Sequence, residues 1–131
     1  MNDKKAMFAQ LKKLLIKHSN GLETKTKLEN STMKDKKEMF GLQGKNEAVI
    51  MNRKPQKTYV AGIIMQKHFV GFYSMPMYSH SKQLPLKHPL LKKMRKGKSC
   101  INITELNADM LKELDSHLRK GIEVYKKEKW I

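Results

Sequence analysis

Within seven positions the chain places five cations, Lys92, Lys93, Arg95, Lys96 and Lys98, and from Ala48 to Thr104 it has no Asp or Glu to offset them. Crowded ammonium and guanidinium groups repel one another, and a bound phosphate or carboxylate relieves that repulsion through charge-assisted hydrogen bonds. Free backbone amides around Gly97 would add donors. The chemistry expected is anion binding, with a phosphorylated small molecule or a nucleic acid as the partner. The competing reading is a solvated face that keeps the protein dispersed and complements the negative end of a helix. Gly97-Lys98-Ser99 looks like the end of a phosphate loop. Such a loop needs a glycine five positions earlier, where Lys92 stands, and must open a helix rather than close one.

The other reactive side chains form no complete set. Tyr73 and Tyr78 could stack bases beside the cations, and Met75, with Met51, Met65 and Met77, could line an adaptable apolar pocket; in a segment this apolar, both are more commonly core. His18, His68, His80, His88 and His117 lack the paired spacings of zinc sites, although His80 and His88 flank one loop. Lys96 and Lys98 would activate the Cys100 thiol if they surrounded it, and a buried, inert cysteine is the simpler expectation. Ser74, Ser79 and Ser81 near His80 have no local carboxylate to complete a hydrolytic triad. The reading is therefore a non-enzymatic binding domain without cofactors.

Elements to position these groups follow from periodicity. Met7, Leu11, Leu14 and Leu15 predict a helix from about Asp3 to His18, capped by Asn2 or Asp3 and stopped at Ser19-Asn20-Gly21. Leu22, Thr24, Thr26 and Leu28 alternate as an exposed strand would, Met39 to Leu42 makes a short second one, and Ala48 to Met51 is a brief apolar run. Tyr59 to Met65 and Phe69 to Met75, rich in β-branched and aromatic residues and separated by a few polar ones, predict a buried hairpin. Pro76 ends it, and Met77 to Pro85 reads as a loop. Pro89 starts a short helix that Gly97 stops, and Lys98 to Ile103 is a strand. Asn107 then caps a helix with the stripe Leu111, Leu114, Leu118, Ile122 and Tyr125. The sum is an α+β sandwich: an antiparallel sheet of about five strands with the N- and C-terminal helices packed on one face.

Lys67-His68-Phe69-Val70-Gly71-Phe72-Tyr73-Ser74-Met75-Pro76-Met77-Tyr78, then Gly97-Lys98-Ser99-Cys100-Ile101-Asn102-Ile103, then Leu118-Arg119-Lys120-Gly121-Ile122-Glu123-Val124-Tyr125 near Trp130, resembles the YdhG-like family of small bacterial domains. The similarity covers about the last 75 residues, and the first half by element order. The resemblance implies a frataxin/YdhG-like sandwich and, loosely, an iron-chaperone role, for which Glu105, Asp109 and Glu113 would be the carboxylates. Lys112 and Arg119 among them, and Asp3 as the lone acid of the first helix, depart from an iron-binding surface.

Composition bounds the rest. The 131 residues, 39% hydrophobic, suit a single domain over 1–131 with a core of its own. The charge of +16 favours anionic partners. One cysteine permits no internal disulfide and fits a cytoplasmic setting; no secretory signal is legible and no apolar run approaches the roughly 20 residues of a membrane span. A monomer or a homodimer is expected, and the alternative to a ligand-binding domain is an oligomeric interaction protein with no small-molecule ligand, whose apolar sheet edge is the functional surface.

Overall fold

Asp3 opens the first helix by accepting a hydrogen bond from the Lys5 amide at 2.9 Å, and α1 runs Lys4–Lys17. The computed structural model describes residues 3–26, 38–48 and 54–131. Leu28 of the expected alternation, and Val49, Ile50 and Met51 of the expected apolar run, lie outside those residues. The further elements are β1 Leu22–Lys25, β2 Met39–Ala48, β3 Gln56–Met65, β4 Val70–Ser74, α2 Met75–Ser79, α3 Pro89–Met94, β5 Arg95–Lys96, β6 Cys100–Ile103 and α4 Ala108–Lys127. Among the described residues the strands form one open antiparallel sheet of six, in the order β1-β2-β3-β4-β6-β5. The protein is α+β, as its patterns predict.

Strand register decides which side chains face the helices. Phe40, Ile63, Phe72 and Ile101 pair in one row, Leu42 pairs with Ala61, and Val70 with Ile103, so these share one face. Between Leu42–Ala61 and Gln43–Tyr59 the pairing skips Val60, a bulge that keeps this buried valine in the core. Onto that face α1 packs Met7, Phe8, Leu11 and Leu15, and α4 packs Met110, Leu114, Leu118, Ile122 and Tyr125. Each such side chain removed from water contributes roughly 1.5–3 kcal/mol, which orders the short strands beneath. At the C-terminal end of α1, Asp115 from within α4 binds His18 at 2.6 Å and Lys17 at 3.1 Å.

Several expectations shift by tertiary context. In α1 Phe8 is buried and Leu14 only partly; in α4 Met110 takes the deep position and Leu111 is half-buried. The second strand is longer than Met39 to Leu42, because pairing with both β1 and β3 carries it through Ala48. Residues read as a loop after Pro76 begin with a helical turn, α2: Ser74 Oγ accepts from the Met77 amide at 3.3 Å, and a proline in the first turn sacrifices no hydrogen bond. The short helix stops at Met94 rather than near Gly97. Arg95 and Lys96 extend to pair with Ile101 and Cys100, because Gly97, at φ 73°, allows the tight return that this hairpin needs. This hairpin accounts for the sixth strand.

Gly121 sets how close α2 and α4 come. A Cβ there would stand 2.9 Å from Pro76 Cβ and Cγ, so the segment carrying Tyr78 is held against α4 by the missing side chain.

Candidate anion-binding site

The hairpin around Gly97 divides the cation cluster. Arg95 pairs with Ile101 on the helix-bearing face, whereas Lys96 pairs with Cys100 and so stands on the opposite face of the sheet. Lys92 and Lys93 are exposed on α3. Arg95 and Lys98 come together, lining a cleft of about 340 Å³ with Tyr78, Ser79 and Ser81. The Arg95 guanidinium is fixed from behind: Nε donates to the Gly97 carbonyl at 3.1 Å and Nη2 to the Lys98 carbonyl at 3.0 Å. Two of its five N–H groups close the turn, leaving three without a partner among the described residues. Lys98 Nζ lies 5.8 Å from the centroid of the Tyr78 ring, a cation–π distance. Ser79 Oγ is tied to Tyr125 Oη and His80 Nδ1, both at 2.8 Å, which anchors this rim to α4. No carboxylate lines the cleft. It offers two cations, three hydroxyls and an aromatic face, a set that can hold a phosphate and stack a flat organic group.

The aromatic candidates separate. Tyr78 (45% exposed) and Met75 (37% exposed) lie on α2, near the cleft, while Tyr73 pairs with Gly62 and Cys100 on the second face of the sheet. There the Tyr73 ring lies over Gly71, where an added Cβ would meet it at 2.7 Å, and Tyr59 covers Gly41 and Gly62 in the same way. Burial raises both phenols, Tyr59 to about 12, with Tyr73 adding to the effect on Tyr59. Tyr73 and Tyr78 therefore cannot form one stacking platform. Burial also pushes the Cys100 thiol up, against the activated reading, and Sγ donates to Asn102 Oδ1 at 3.4 Å.

The remaining candidates are engaged in structure. His80 packs edge-on against Tyr125 and Trp130, and His88 caps α3 by accepting from the Leu90 amide at 3.1 Å, so they do not face a shared ion. Glu113 accepts from the Lys87 amide at 2.8 Å and the His88 amide at 3.0 Å, holding the loop before α3. Glu105 precedes α4 and Asp109 is exposed in its first turn. Among the described residues no group of three or more His, Cys, Asp or Glu is placed to hold a metal ion.

His117 escapes a reading based on spacing alone. It is buried on α4, its Nε2 2.7 Å from Ser74 Oγ, and burial lowers its pKa to about 4. The available signal is a polar residue on the apolar stripe, beside Leu118 and one turn after Leu114, where a histidine must find a buried partner. No family model, curated protein or solved structure matches the chain. Its functional reading rests on these side chains. Among the described residues no helix is long and apolar enough to cross a membrane.

Proposed function

We propose that this chain is a non-enzymatic, YdhG-like binding domain that holds a phosphate-bearing ligand in the cleft of Tyr78, Ser79, Ser81, Arg95 and Lys98. The observation that carries the reading is that Arg95, braced by the Gly97 and Lys98 carbonyls, and Lys98, over Tyr78, line one cleft with no carboxylate. A braced guanidinium loses little freedom on binding, so its remaining donors act at low entropic cost. Lys92, Lys93 and Lys96 supply a surrounding positive field that speeds encounter without touching the ligand. A small phosphorylated molecule suits the volume better than a polymer, which would need a longer groove.

Calorimetric titration with phenyl phosphate tests the reading. Lys98→Ala is expected to weaken binding about tenfold, the loss of one charge-assisted hydrogen bond. Neutralising Lys92 and Lys93 together should change affinity less than Lys98→Ala alone. Affinity unaffected by Lys98→Ala, or phenyl phosphate that produces no heat, sinks the proposal. A single-stranded oligonucleotide binding more tightly, with a steep salt slope, would replace the small ligand by nucleic acid.

A further inference from the structure

A second cleft, about 480 Å³, opens between the loop carrying Leu84 and Lys87 and the face of α4 that carries Lys112, Ser116, His117 and Lys120. It shares no lining residue with the first. Its floor is the His117 ring, 6% exposed. The protonation of that ring follows from its neighbour. Ser74 is 1% exposed, and its Oγ already accepts the Met77 N–H. The serine's own proton needs an acceptor, and His117 Nε2 lies 2.7 Å away. With Nε2 accepting, the neutral ring carries its proton on Nδ1.

Nδ1 has no hydrogen-bond partner among the described residues, yet the only side-chain polar atom sealed from solvent without a partner there is Thr58 Oγ1. The Nδ1–H therefore reaches the cleft. A donor cannot ligate a metal, and Nε2 is already taken by Ser74, so the floor suits an anion. Glu113 also borders the cleft, but its oxygens accept the Lys87 and His88 amides. What remains on the walls is the Gln83 amide, a hydroxyl and three lysines, which outnumber the one Glu113 carboxylate, with Leu84 and Pro85 as an apolar side.

We infer that this cleft is a second anion site, taking a phosphate monoester whose oxygens face Lys87, Lys112, Lys120 and the His117 Nδ1–H, with its organic group on Leu84 and Pro85. The dianion of such an ester matches several cations at once, and its three terminal oxygens can accept from the ammonium groups and the imidazole together. A compact carboxylate offers one charge and two oxygens to the same donors. The inference goes beyond the first cleft and does not depend on it.

The test follows His117 side-chain nitrogens by NMR during titration with phenyl phosphate. Saturable movement of Nδ1, weakened at least tenfold in the double variant Lys112→Ala/Lys120→Ala and unchanged in Lys98→Ala, is the expected result. His117→Gln keeps an acceptor for Ser74 and loses the ring Nδ1–H, its own amide N–H groups sitting at the end of the side chain that meets Ser74; with the melting transition intact, it should also weaken binding about tenfold, read from the Lys87 amide. If that variant fails to fold, the lysine pair carries the test. A His117 signal that phenyl phosphate does not move, or a response abolished by Lys98→Ala, overturns the second site. Inorganic phosphate or benzoate binding as tightly as phenyl phosphate overturns the monoester assignment. Phenyl phosphate that leaves the wild-type Lys98 side chain unmoved while the His117 response is retained would refute the first cleft alone.

Discussion

Lowering the pH should destabilise this protein well before its carboxylates titrate, and His117 is the reason. Burial holds its folded pKa near 4, against an ordinary value of 6.5. Glu113 pulls the value up, while Arg95 and Lys120 push it down. Lys87 and Lys112, lining the same cleft, also oppose an imidazolium there. Below pH 6.5 the unfolded chain binds a proton that the folded chain refuses, so stability is full above 6.5 and falls as pH drops towards 4. At about 1.4 kcal/mol for each pH unit between the two values, the whole window is worth about 3 kcal/mol, of which about 2 is lost between pH 7 and 4.5. Against a total of roughly 5–15 kcal/mol for a typical domain, that is large. Urea unfolding followed by Trp130 fluorescence across this range measures it. His117→Gln, which still accepts from Ser74, should be less pH-dependent by the same amount. Parallel loss of stability in both proteins from pH 7 to 4.5, or an NMR titration of His117 near 6.5, would refute the reasoning.

Two glycine substitutions probe close packing, one beside the first cleft and one on the second face of the sheet. Gly121→Ala gains helix propensity of about 1 kcal/mol but drives a methyl into the Pro76 ring, so a net loss of roughly 1–2 kcal/mol in urea melts is expected, with weaker phenyl phosphate binding as α2 is pushed away. Unchanged stability would mean that α2 yields freely. Gly62→Ala displaces the Tyr59 hydroxyl, which occupies the space the Cβ would take. The ring should swing into solvent, and its phenol, now near 12, should titrate closer to 10 in an ultraviolet pH titration; a retained high value would show that Tyr59 stays buried by another route.

Much of the architecture was legible where local signals and tertiary packing agree. The caps Asp3 and Asn107, and Pro89 in the first turn of α3, open helices as their side-chain chemistry dictates, and the runs after Tyr59 and Phe69 pair because nothing but a sheet core can bury them. Legibility failed where pairing overrode propensity. Lys92 to Lys96 favours continuing a helix, but two extended residues beside Ile101 and Cys100 gain a strand partner. The same pairing splits Arg95 from Lys96, because consecutive strand residues face opposite sides.

From residues alone come the positive charge, the acid-free stretch, the α+β class and the set of side chains able to bind an anion. Those are properties of composition and of short-range periodicity, which no contact can change. Tertiary structure alone decided which cations share a cleft. It braced Arg95 with two carbonyls, sent Tyr73 to the second face of the sheet, and brought Ser74 and His117 together across 43 residues of sequence. Such meetings depend on strand register and helix packing, and both are set by the core as a whole rather than by any segment's own pattern.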